Sequence, residues 1–84
     1  MRIVFHPHAW EDYQYWQVQD RKILKKINEL IRDVERSPYG GLGKPEALRF
    51  DLTGFWSRRI DQEHRLVYRV DGEELHILEC RYHY

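Results

Sequence analysis

Apolar residues at Ile23, Leu24, Ile27, Leu30, Ile31 and Val34 follow the i, i+1, i+4, i+7, i+8, i+11 spacing of an amphipathic helix. Asp20 is placed to cap its first turn, and Ser37-Pro38 to end it. Upstream, Trp10, Tyr13 and Trp16 recur at helical spacing behind Pro7, a residue that suits the first turn of a helix. The link at Gln19-Asp20 is short, so the two helices are predicted to form an antiparallel hairpin. Ile3-Val4-Phe5 reads as a short strand stopped by Pro7.

The periodicity changes after a turn-rich loop, Pro38 to Pro45, that carries Gly40, Gly41 and Gly43. Ala47 to Phe50, Phe55 to Asp61, His64 to Val70 and Glu74 to Tyr82 read as strands, with turns at Thr53-Gly54 and Asp71-Gly72. The order β-α-α-β-β-β-β predicts an α+β fold, a helix hairpin covering one face of a mostly antiparallel sheet. The 84 residues suffice for one core, so residues 1–84 are expected to form a single domain.

Strand parity separates the two faces of this sheet. Even positions (Trp56, Ile60, Leu66, Tyr68, Val70, Leu78, Cys80, Tyr82) are mostly apolar and are assigned to the helix side. Odd positions (Ser57, Arg59, Asp61, Arg65, Arg69, Glu79, Arg81, His83) are mostly polar and are assigned to the outer face. Arg58 breaks the first pattern, and Phe55, Val67, Leu75 and Ile77 break the second. The assignment requires an odd number of residues in each hairpin connection, which three-residue loops at Gln62-Glu63-His64 and Asp71-Gly72-Glu73 would provide.

Charge and composition narrow the function less than the pattern does. Fourteen Lys and Arg balance 14 Asp and Glu, so no bulk positive charge draws the chain to a polyanion, and nucleic-acid binding would need a local cluster. The single cysteine, Cys80, excludes an internal disulfide and a cysteine-based zinc site. No apolar run approaches the roughly 18 residues of a membrane span, and the start lacks the apolar stretch of a signal peptide. The chain therefore reads as a soluble cytoplasmic domain. Gly40 to Pro45 lacks the spacing of a phosphate-binding loop, with proline in the hydroxyl position. His6-Pro7-His8 has no further ligands spaced to complete a metal site.

The outer face gathers several arginines and His83, with Lys44 and Glu46 arriving from the Gly/Pro loop. Arg matches phosphate geometry and keeps its charge; His can exchange a proton near neutrality; Glu can serve as a base. Together they form a minimal set for cleaving RNA without a metal: a base for the 2′-OH, a cation for the phosphorus-centred charge and an acid for the leaving 5′-oxygen. The same types also occur together on ordinary solvated sheet faces. Read one by one, Glu46 could be a turn residue, His83 a fraying terminus, His64 a turn residue, His76 an edge or core residue, and Arg65 a surface partner of Asp61, Glu63 or Glu79. The Trp10/Tyr13/Trp16 stripe reads as core or interface.

Several segments carry a resemblance: Gly43-Lys44-Pro45-Glu46-Ala47-Leu48, Leu52 to Ile60, Glu63-His64-Arg65-Leu66-Val67-Tyr68, and the terminal Cys80-Arg81-Tyr82-His83-Tyr84. With the Lys25-Lys26-Ile27-Asn28-Glu29-Leu30-Ile31 helix and the Trp-rich first helix, they resemble the YoeB toxins of the RelE-like superfamily of type II toxin–antitoxin systems. The resemblance covers essentially the whole chain. It implies a ribosome-dependent endoribonuclease that cuts mRNA in the A site of the 70S ribosome, leaving a 2′,3′-cyclic phosphate or 3′-phosphate and a 5′-OH, with no cofactor. By resemblance Glu46 is the general base, His83 the general acid and Arg65 the residue that stabilises the phosphate, supported by Arg59. Tyr84 positions the substrate, and Lys44 and Glu63 lie nearby. The resemblance also implies a YefM-like antitoxin and a homodimer. The alternative is a non-catalytic module that holds RNA or an antitoxin on the same Arg-rich face.

Overall fold

The computed structural model describes residues 1–83; Tyr84 lies outside the described residues. Strand β1 (Arg2–Phe5) leads through Pro7 into α1 (Pro7–Gln19), and α2 (Arg21–Arg36) follows after one residue. Asp20 caps α2 through its carboxylate, which accepts from the N–H groups of Lys22 (3.0 Å) and Ile23 (3.3 Å). β2 (Glu46–Ala47), β3 (Trp56–Arg59), β4 (Arg65–Asp71) and β5 (Glu74–Glu79) complete a five-stranded sheet of order β1-β5-β4-β3-β2. All neighbours are antiparallel except β1 and β5, which run parallel. The α+β order read from the sequence is the observed one.

The core lies between the hairpin and one sheet face. Ala9, Trp16, Ile27, Leu30, Ile31 and Val34 meet Ile60, Leu66, Tyr68, Leu75, Ile77 and Cys80 there. All six apolar positions of the predicted α2 pattern belong to this core or pack against it.

Three details differ from the sequence expectation. The segment expected as a strand from Ala47 to Phe50 ends at Ala47. Phe50 takes φ +57° and opens a short 3-10 turn over Phe50–Leu52, which the Thr53 N–H and hydroxyl close by donating to the Phe50 carbonyl. The β4–β5 turn holds two residues, not three, because Asp71 pairs directly with Glu74 and Gly72 takes φ +61°. Even numbering therefore no longer marks the core: Leu75 and Ile77 face the helices, opposite Val70 and Tyr68. A bulge then restores the parity. Val67 pairs with Glu79 while Tyr68 pairs with Ile77, so Leu78 is the extra residue and falls outside the core expected for it, while Cys80 reaches the core as expected. Across β3 and β4 the parity holds, since the five-residue connection 60–64 is odd in number.

Candidate active site on the outer sheet face

The Gly/Pro loop delivers Lys44 and Glu46 to the sheet, and a buried arginine holds that loop. Arg58 is completely buried and pairs with Asp33 of α2 at 2.5 Å. Its remaining N–H groups donate to the carbonyls of Ser37 (2.6 Å), Gly40 (2.6 Å) and Leu42 (3.0 Å) and to the Tyr68 hydroxyl (3.2 Å). Tyr68 in turn donates to the Pro38 carbonyl at 2.6 Å. The loop passes so close over this cluster that a Cβ at Gly41, φ +97°, would stand 2.2 Å from the Asp33 carboxylate. Hence Arg58, the misfit in the apolar strand face, is the post around which the loop folds.

Hydrogen bonds from Arg36, the Leu42 N–H and Arg58 hold the Asp33 carboxyl far below the ordinary carboxylate range. A carboxylate depressed in this way stabilises the fold above its unfolded pKa, and the contribution is lost as pH falls below that value toward the folded one. The melting midpoint is therefore expected to drop steadily once pH falls below about 4. Asp33→Asn is expected to lower the midpoint at neutral pH and to flatten this acid limb. A limb of unchanged steepness in the variant, followed by circular dichroism, would assign it to other carboxylates.

Glu46 pairs with Ser57, and Ser57 with Val67, which sets these residues in one row across the outer face. Ser57 and Val67 are buried at 3% and 2% exposure although no helix covers this side, so they form the floor. One step along the strands lies a cationic row. Arg59 opposes Arg65, and the Arg59 N–H donates to the Gly43 carbonyl at 2.7 Å, which brings Lys44 alongside at φ +52°. Glu46 and Arg59 are exposed and Arg65 is half-buried. Arg65 pairs with none of Asp61, Glu63 or Glu79. Its Nη1 alone donates to three carbonyls, Asp61 (2.7 Å), His64 (3.0 Å) and Gln62 (3.4 Å), so Nη2 and Nε are left to other ligands.

Residues 80–83 are held beside this row. The Arg65 N–H donates to the Tyr82 carbonyl at 3.0 Å, so the tail extends the sheet past the end of β5. Tyr82 has φ +63°, an uncommon conformation for a residue with a Cβ, and it turns the chain back toward the 60–64 connection. The exposed His83 then lies with Nε2 3.4 Å from the Gln62 carbonyl.

His64 holds the strained turn. The sequence reading made it a turn residue, but it is buried, and its Nδ1 accepts the Tyr82 N–H at 2.7 Å. That bond places the imidazole proton on Nε2, which faces Glu63 Oε1 at 3.5 Å. Trp16 and Tyr82 pack on the ring. Helix α1 anchors the same tail: Trp16 Nε1 donates to the Cys80 carbonyl (2.9 Å), and the Asp12 carboxylate accepts the Cys80 N–H (3.0 Å). The aromatic stripe is therefore core at Trp16, while Trp10 stays exposed.

The predicted residues Lys44, Glu46, Arg59, Arg65 and His83 thus arrive on one face, and Glu63 stands at its rim against His64. Tyr84 lies outside the described residues. No cluster of three or more potential metal ligands occurs among the described residues. No helix among them is long and apolar enough to cross a membrane. His64 and Arg58 were the residues missed. Their signals were local: a charge in an apolar strand face, and a histidine set between the predicted site residues Glu63 and Arg65.

Residues 5–84 match the family described as the YoeB-like toxin of bacterial type II toxin–antitoxin systems. The chain belongs to this family. It is 56% identical to Toxin YoeB of Escherichia coli K12 over 84 residues, all of both chains. Among solved structures, the YoeB/ParE toxin from Agrobacterium tumefaciens superposes with a TM-score of 0.98 at 50% identity, over the whole of both chains. A YoeB dimer from Staphylococcus aureus superposes at 0.94 with 52% identity, over all of this chain and 98% of the other. A YoeB–YefM complex from Staphylococcus aureus superposes at 0.93 with 50% identity and the same coverage. This chain is accordingly a type II toxin of the YoeB family, with the RelE-like arrangement of two helices on a mixed sheet.

Proposed function

We propose that this YoeB-family toxin is a ribosome-dependent endoribonuclease that cuts mRNA in the A site of the 70S ribosome by acid–base catalysis without a metal. The observation that carries the reading is the placement of Arg65. Its guanidinium is half-buried, held through one nitrogen by three carbonyls, and flanked by Arg59 and the His83 segment on the face that also presents Glu46. A guanidinium fixed in this way is preorganised for charge that develops on a phosphate, because its orientation is settled before the substrate arrives. Glu46 takes the proton of the 2′-OH, the oxygen attacks phosphorus, and His83 protonates the leaving 5′-oxygen. The products are a 2′,3′-cyclic phosphate, or a 3′-phosphate after its hydrolysis, and a 5′-OH. Lys44, Arg59 and Tyr84 hold the substrate, and Glu63 acts near them through the His64 Nε2–H.

Ribosome dependence, which the family resemblance implies, fits the charge balance. Phosphate contacts supply most of the affinity for free RNA, and a chain with 14 cations against 14 anions offers few of them. The ribosome presents the strand and helps bend it for in-line attack. Such a substrate places the protein in the cytoplasm. The solved YoeB dimer and YoeB–YefM complex support a homodimer and a YefM-like antitoxin as partners here.

Purified protein added to translating ribosomes is expected to give mRNA ends in phase with A-site codons. The new 5′ ends should accept phosphate from a kinase without prior dephosphorylation. The yield should survive EDTA added to preformed complexes that are shown to stay intact. Absence of phased ends would favour the non-catalytic module that binds RNA or an antitoxin on this face; equal cutting of naked RNA would favour a free ribonuclease.

A further inference from the structure

Arg69 stands on the outer face of β4, four residues beyond Arg65 and on the same side, since positions 65, 67 and 69 alternate together. The two arginines lie roughly 14 Å apart along the strand, with Val67 between them as floor. Arg69 opposes His76 of β5, and its guanidinium lies 5.8 Å from the Phe55 ring centroid. The residue is half-buried, and its Nε is buried without a hydrogen-bond partner. Its side chain makes neither a hydrogen bond nor an ion pair among the described residues. His76 does not serve it, because its two ring nitrogens face His6 and Glu74.

A buried guanidinium nitrogen without an acceptor is costly, and a well-packed protein seldom keeps one without use. Arg58, on the opposite face of the same sheet, has every N–H group engaged. Arg69 is instead held in orientation by an aromatic ring on one side and left without an anion. We propose that Arg69, backed by Phe55, is a second phosphate-binding residue for the mRNA, holding a phosphate that flanks the one engaged by Arg65. This inference rests on the nuclease reading for its substrate. RNA is favoured over an acidic peptide because Arg59 and Arg65 lie side by side across β3 and β4 and Arg69 follows along β4 on the same sheet face, a cationic array that an extended polyphosphate can follow.

The test compares Arg69→Gln and Arg69→Lys with the unmodified protein in three measurements. In single-turnover cleavage on programmed ribosomes, Arg69→Gln is expected to raise the half-saturating protein concentration roughly tenfold, with the maximal rate unchanged and with recovery in Arg69→Lys. On a 2′-O-methylated single-stranded RNA oligonucleotide, which the chemistry cannot cut, the slope of log K against log salt should fall by about 0.7 in Arg69→Gln and return in Arg69→Lys. The melting temperature of Arg69→Gln should equal or exceed that of the unmodified protein, since no internal bond is lost. A purely structural arginine would lower the melting temperature and leave the salt slope alone, and this result would overturn the proposal. So would an unchanged half-saturation together with an unchanged slope. Loss of affinity for an oligo-glutamate peptide with RNA binding intact would also overturn it, in favour of a peptide site. Failure of the unmodified protein to cut ribosome-bound mRNA, with the slope difference still present, would sink the nuclease reading and leave the phosphate site standing.

Discussion

Replacement of Arg58 by methionine is expected to lower the unfolding free energy by at least about 3 kcal/mol and the melting midpoint by roughly 15 °C. The side chain is fully buried and donates to the carbonyls of Ser37, Gly40 and Leu42. Each acceptor left without a partner costs about 1 kcal/mol or more, and the Asp33 carboxylate loses its buried counter-charge as well. An 84-residue domain has a total stability of only about 4–12 kcal/mol, so the loss is a large fraction of it. The consequence reaches function because the loop that carries Lys44 and Glu46 is tied down mainly by Arg58. Activity of the folded variant should therefore fall as well, measured below its melting midpoint. Replacing both Arg58 and Asp33 by apolar residues should recover part of the stability, since neither charge then remains buried alone. A midpoint within a few degrees of the unmodified protein in Arg58→Met would show that the loop holds itself.

Arg65→Ala is expected to act in the opposite sense, with a small effect on stability and a large one on rate. Its Nη1 donates to carbonyls of the 61–64 connection, at a rim where water can replace it. The backbone N–H that holds the Tyr82 carbonyl is unaffected by the change. If Arg65 stabilises the phosphorane-like charge, its removal should slow single-turnover cleavage on the ribosome by about 10²–10³-fold. Ribosome binding should change little. Arg65→Lys should recover part of the rate, because it keeps the charge and loses the fork geometry. An Arg65→Ala variant that cuts at full rate would remove Arg65 from the catalytic role, even with the nuclease activity itself intact.

The two substitutions show which parts of this site were legible in the chain. The Arg65 side followed from alternation along one strand, a local property that survives folding. The outward placement of Arg59 followed from the same rule, because the 60–64 connection is odd in number, whereas Glu46 was placed only as part of the Gly/Pro loop and its pairing with Ser57 came from the fold. The terminal segment was recognised by resemblance, yet its geometry was not visible. Nothing in Cys80-Arg81-Tyr82-His83 states that Tyr82 takes φ +63°, or that His64, 18 residues away, accepts its N–H.

The sequence by itself determined the two helices, the Asp20 cap, the order β-α-α-β-β-β-β and the balance of 14 cations against 14 anions. These depend on spacing of 3.6 or 2 residues and on neighbouring side chains, so short windows contain them. Only the tertiary structure decided the two-residue β4–β5 turn, the bulge at Leu78, the burial of Arg58 against Asp33 and the pinning of the tail by Trp16 and His64. Each joins groups far apart in the chain or shifts a register by one residue. Such choices are settled by which pairing buries Leu75, Ile77 and Cys80 together while giving Arg58 and Asp33 their partners, a competition over the whole molecule that no local pattern encodes.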